Sequence, residues 1–202
     1  MWQSSMTPGV AQLPKGMCLR PESARALLHA ERFARKALSP MDTALTIEFS
    51  TALIGSVQPY ELFRRIWENT RRAWNYRVKL GAAHGTFDAI AVWEQPPGGP
   101  IHVHWLLRWS PLDQADLEKR IRRALTKLAP NMPNRCLMVQ PATTTSKFAK
   151  YMAKGIDAPY ANNFYLKHSP QGPIHHRRII ISRSLGPTAR KIYRQKTGFS
   201  PI

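Results

Sequence analysis

Two apolar segments joined by a turn constrain this chain more than any other feature. Thr86–Glu94 (TFDAIAVWE) and Ile101–Trp109 (IHVHWLLRW) are separated by Gln95–Pro100 (QPPGGP). Both are rich in β-branched and aromatic residues, and proline and glycine dominate the link, so the stretch predicts an antiparallel hairpin. Thr43–Ser50 (TALTIEFS) reads as a further strand and Arg135–Gln140 as a short one. Helical spacing runs from Pro21 to about Leu38, where Ser39-Pro40 stops it. A longer helix runs from Pro59 to about Leu80, with Phe63, Ile66, Trp67, Thr70 and Trp74 as its inner stripe. Arg64, Arg65, Arg71 and Arg72 fall outside that stripe and read as a solvated face, and Gly81 suits the helix end. Ser110-Pro111 predicts an N-cap with proline at the first position of a helix reaching about Leu128. Thr143–Lys154 reads as a short helix, with Gly155 as its C-cap candidate.

The order strand, helix, hairpin, helix, strand, helix predicts an α+β sandwich: an antiparallel sheet with helices largely on one face. Residues 1–40 read as an N-terminal extension with one helix, its first twenty residues irregular. Residues 41–157 form the expected core, and 158–202 a basic C-terminal arm, irregular apart from the apolar run Ile179–Ile181.

Charge divides the chain. Of 202 residues, 30 are Lys or Arg and 12 Asp or Glu, for a formal charge of +18. Residues 1–118 carry 13 basic and 11 acidic side chains, whereas 119–202 carry 17 basic ones and a single acid, Asp157. Such a surface calls for a polyanion, nucleic acid or an anionic membrane. No apolar run approaches the ~18–20 residues that span a bilayer, and the basic stretch shows no long amphipathic helix, so a membrane partner is not expected. The first residues lack the apolar segment of a signal peptide, although their poverty in acids leaves a transit peptide open. Cys18 and Cys136 are too few for a disulfide scaffold or a cysteine zinc site, which makes a reducing cytoplasm the expected location. No phosphate loop of the Walker type is present, which argues against ATP hydrolysis.

Two sets of residues carry candidate chemistry. His102 and His104 alternate on a predicted strand, so their imidazoles share a face with backbones ~6.5–7 Å apart. Glu94 ends the partner strand, and the turn lets its carboxylate approach them. Two imidazoles and a carboxylate suit Mn²⁺ or Mg²⁺ in contact with phosphate, and also Zn²⁺ or Fe²⁺; the same pair also suits a polar, half-exposed strand face. On the helix Thr143–Lys154, Lys147 and Lys154 fall within ~60° of Tyr151, while Phe148 and Met152 point to the other side as anchors. Nearby ammonium groups favour the phenolate and can steady a phosphate. Taken alone, the helix also describes a surface tyrosine among solvating lysines. His175-His176 sit in a basic loop and either face phosphate or do nothing in particular.

Taken together, the motifs resemble the HUH endonucleases, metal-dependent enzymes that nick single-stranded DNA with a tyrosine nucleophile, and most closely the rolling-circle replication initiators. Thr43–Phe49 looks like the family's first motif. His102-Val103-His104 matches the second, with Glu94 in the place of a preceding carboxylate ligand. Tyr151-Met152-Ala153-Lys154 matches the third, Tyr-x-x-Lys, and the motifs stand in the family's order over roughly residues 43–157. The resemblance implies a ferredoxin-like or RRM-like antiparallel sheet of about five strands bearing the metal, Mn²⁺ or Mg²⁺, beside the tyrosine helix. It implies attack by Tyr151 on a DNA phosphate, assisted by Lys154, leaving a 5′-phosphotyrosine and a free 3′-OH. Lys147, Lys150, Arg177 and Arg178 are the expected DNA contacts. The partners it implies are single-stranded origin DNA and a host helicase, since the chain carries no helicase segment; a homo-oligomer is an open option. One tyrosine stands at the motif and Tyr160 lies beyond Pro159, so rejoining would need a second subunit, a second tyrosine from elsewhere or another nucleophile.

Three other readings compete. A single-tyrosine transposase shares the histidine motif but typically takes its third ligand from the tyrosine helix. A conjugative relaxase usually adds a third histidine. A non-catalytic module would stack bases on strand aromatics such as Trp93, Trp105 and Trp109.

Overall fold

The computed structural model describes residues 17–49 and 58–199. The predicted irregular stretch before Met17 lies outside the described residues. The elements are α1 (Pro21–Ala37), β1 (Thr43–Phe49), α2 (Pro59–Lys79), β2 (Ala89–Glu94), β3 (Ile101–Leu107), α3 (Gln114–Leu128), β4 (Leu137–Pro141), α4 (Thr145–Met152), β5 (Ile179–Ile181) and α5 (Pro187–Thr197). The strands form one five-stranded sheet in the order β4-β1-β3-β2-β5, antiparallel throughout. Within it, β1, α2, β2, β3, α3 and β4 follow the ferredoxin-like chain order.

Two-residue alternation sorts the strands into two faces. Leu45, Ile47 and Phe49 of β1, Ala89, Ala91 and Trp93 of β2, and Val103, Trp105 and Leu107 of β3 build one core. Helices α2 and α3 cover it through Phe63, Ile66, Trp67, Trp74, Leu117, Ile121 and Leu125. Trp67 stacks on Trp105 at 5.2 Å between ring centres, and Phe63 meets Trp93 and Trp105 edge-on. Three of the four arginines outside the α2 stripe pair along the helix surface, Arg64 and Arg65 with Glu61 and Arg71 with Glu68.

The other face buries Ala44, Ile90, Val92 and Leu106 under α1 and α4, with Tyr193 of α5 against Phe33. Helices therefore lie on both faces, not largely on one. The reason is in the strands: apart from Glu94, His102 and His104, β2 and β3 are apolar on both faces, as expected where a sheet is covered on both sides. Two segments expected to lie outside the core are part of this layer. Helix α1 packs against α4, and Ile179–Ile181 pairs with β2 as the edge strand β5. The basic stretch also contains α5, whose weak apolar stripe gives little signal in the sequence.

Two predicted caps work differently. Ser110 adopts φ +98° and caps no helix; Trp109 and Ser110 donate their amides to the Asp42 carboxylate at 2.9 and 3.1 Å, and a short 3₁₀ turn precedes α3. Gly155 has no positive φ and lies beyond the Ala153 C-cap. It is glycine because the Gln171 side chain crosses it: a Cβ there would sit 2.7 Å from Gln171 Cγ. Gly81, at φ +72°, follows α2 as expected.

Candidate metal centre

The centre sits where β2 and β3 pair beneath the end of α4. In the hairpin register Glu94 lies opposite His102 and Val92 opposite His104, while β1 sets Thr46 opposite His104. Alternation then carries Glu94, His102 and His104 to the α4 face, and their ligand atoms fall within 4.8 Å of one another. Glu94 Oε2 lies 3.1 Å from His104 Nε2 and 3.4 Å from His102 Nε2. This is a buried Glu/His/His group of a kind that can hold a metal ion.

The surroundings fit that use. Glu94 is 1 % exposed, and burial works to raise its carboxyl pKa, yet hydrogen bonds from both histidines and from Lys154 outweigh it and lower the pKa to about 2. Burial lowers the His104 pKa against the pull of Glu94, favouring the neutral imidazole that ligates metals. Nδ1 of His104 lies 2.8 Å from Thr46 Oγ1. Thr46 thereby holds the ring with Nε2 facing Glu94, the outer-shell arrangement that orients metal-binding histidines. Glu94 Oε1 is buried and has no hydrogen-bond partner. Two imidazole Nε2 atoms gathered on one carboxylate oxygen, with the second oxygen left without a partner, make a group that can hold a cation.

The tyrosine helix closes over this group. Thr145, in the first turn of α4, donates to buried Glu31 of α1 at 2.6 Å, a carboxylate that also suits the positive end of the helix. Ala149 and Met152 pack into the sheet face. Tyr151 is 47 % exposed, with its ring 5.1 Å from the His104 ring centre. Lys154 joins the two parts: Nζ lies 2.8 Å from Glu94 Oε2 and 3.6 Å from the centre of the Tyr151 ring. Burial alone would lower its pKa, but Glu94 and Tyr151 outweigh that and raise it, keeping the ammonium charged.

Of the residues singled out from the sequence, Glu94, His102, His104, Tyr151 and Lys154 come together here. Lys147, Lys150 and Arg177 are exposed. Arg178, expected on DNA, is only 8 % exposed: its guanidinium donates to the carbonyls of Trp93 and Gly172, which makes it a clamp inside the fold. Phe148, expected to point away from the tyrosine, stacks on Tyr151 and meets His104 edge-on. Trp93, Trp105 and Trp109 are buried and offer no stacking platform. Thr46 and Glu31 carry no signal of their own, because their roles depend on pairings between distant segments. No family model matches the chain, and no curated protein matches it either. Among the described residues no helix is long and apolar enough to cross a membrane.

Proposed function

We propose that this chain nicks single-stranded DNA by transesterification, with Tyr151 as nucleophile and Mn²⁺ or Mg²⁺ held by Glu94, His102 and His104. The observation that carries this reading is adjacency: an exposed tyrosine ring lies 5.1 Å from a ring of the buried ligand group, with a lysine bridging the two. The metal, when bound, supplies Lewis-acid polarisation of the scissile phosphate. Tyr151 Oη attacks phosphorus, forming the Oη–P bond as the P–O3′ bond breaks. The phenolic proton leaves to solvent, and the departing 3′-oxygen takes one up. The 5′-phosphate stays on the tyrosine. Lys154, fixed by Glu94 over the Tyr151 ring, lies close enough to offset charge on the phosphate.

A carboxylate ligand supplied by a strand, not by the tyrosine helix, favours a rolling-circle initiator over a single-tyrosine transposase. In that role the chain would act in the cytoplasm on origin DNA, rely on a host helicase, and use a second copy to rejoin strands. The test is an SDS-resistant adduct with a random pool of single-stranded oligonucleotides plus Mn²⁺. The adduct is expected to disappear in EDTA and in Tyr151→Phe. His102→Ala and His104→Ala are expected to abolish it while keeping DNA affinity, which comes mostly from lysine and arginine on phosphates. An adduct that persists in Tyr151→Phe and maps to another residue overturns the proposal.

A further inference from the structure

A groove of about 380 Å³ lies beside Tyr151, between the end of α4 and the segment 165–170. One wall is Lys150, Tyr151 and Lys154; the other includes Tyr165, Lys167 and His168. Among the described residues its lining holds three lysines and no acid. The volume lies in the ~300–1,000 Å³ range of small-ligand sites. The far wall is fixed to the near one by backbone: Ser169 donates its amide to the Lys154 carbonyl at 2.8 Å, and His168 Nδ1 donates to the Ile156 carbonyl at 2.8 Å. Leu166, next to Tyr165, is buried and anchors the segment.

Tyr165 is the odd residue in this wall. It is 87 % exposed and adopts the left-handed conformation, at φ +54°, that non-glycine residues rarely take. Its own amide donates to Asn162 and the next amide to Ala161, which holds the turn in place. An aromatic ring held out in solvent, on a strained residue, at the rim of a cationic groove gains nothing for the fold. It suits a ligand with a flat face and negative charge.

We propose that this groove binds one nucleotide of single-stranded DNA next to the scissile phosphate, with the base stacked on Tyr165 and its phosphates met by Lys150 and Lys167. The occupant's position rests on the reading of Tyr151 as nucleophile; the binding itself does not. The test is therefore run without cleavage, by fluorescence anisotropy of labelled single-stranded dT12 in EDTA. Tyr165→Ala is expected to weaken binding ~5- to 150-fold, the cost of one lost stack, with an unchanged melting temperature because the ring is exposed. Tyr165→Phe is expected to bind as the parent does, and Tyr165→Leu as poorly as Tyr165→Ala. Lys150→Ala and Lys167→Ala should each reduce the slope of log affinity against log salt by ~0.7, while Tyr165→Ala leaves it unchanged. Parental affinity in Tyr165→Ala or in Tyr165→Leu overturns the stacking site. If Tyr165→Ala loses binding but Tyr151 forms no adduct, the groove stands and the nickase reading falls. If the adduct forms and Tyr165→Ala binds normally, the reverse holds.

Discussion

The two faces of the sheet are made by the same strands and do opposite work. On β3, Val103, Trp105 and Leu107 enter an aromatic core beneath α2 and α3, while His102 and His104 turn to α4 and meet Glu94. The first face is filled by large rings packed on one another. The second mixes aliphatic side chains with alanines, among them Ala24, Ala30, Ala34, Ala44, Ala149 and Ala153, where α1, α4 and the sheet meet. A buried carboxylate and two imidazoles are costly in such a layer unless each has a partner. The contrast teaches that the aromatic face supplies rigidity and the alanine-rich face spends some of it on a polar site. A strand held firmly from one side can present ligands on the other at fixed spacing.

Three substitutions probe that contrast, from the largest expected effect to the smallest. Trp105→Ala removes a fully buried ring from the aromatic face and is expected to cost ~3–5 kcal/mol in urea unfolding. The ligand spacing across β2 and β3 should loosen with it. A loss below ~1 kcal/mol would mean that the aromatic face is not the rigid one. Thr46→Val removes the partner of His104 Nδ1 without opening a cavity, and is expected to weaken Mn²⁺ binding ~10- to 100-fold by calorimetry, with Thr46→Ser restoring it. Unchanged affinity would show that packing by Phe148 and Tyr151 alone orients the imidazole. Lys147→Ala, on the exposed side of α4, should leave stability and Mn²⁺ affinity as they are and lower the salt slope of DNA binding by ~0.7. No change in slope would return this lysine to a solvated face.

The site was more legible than the layer around it. Glu94, His102 and His104 could be placed together from the hairpin alone, because a short turn sets register and alternation sets face. Lys154 could be placed near Tyr151 because three residues is close to one helical turn. The same spacing sets Phe148 beside Tyr151, so reading it as pointing away misapplied the helical period; that this side of α4 meets the sheet was decided by α1 and Glu31. Arg178 and Gly155 were misread for a related reason. In sequence they are a basic residue in a basic arm and a glycine after a helix; in space one clamps Trp93 and Gly172, and the other lies under Gln171.

The sequence by itself determined the α+β class, the central hairpin and the grouping of Glu94, His102 and His104, since these follow from periodicity and turn chemistry within a few residues. It also determined that +16 of the formal +18 lies beyond residue 118. Only the tertiary structure decided that helices cover both faces, that Ile179–Ile181 closes the sheet edge, that Thr46 backs His104, and that Lys154 ties Glu94 to Tyr151. Each joins segments far apart in the chain, and such pairings are selected by the packing of the whole molecule, which no local pattern encodes.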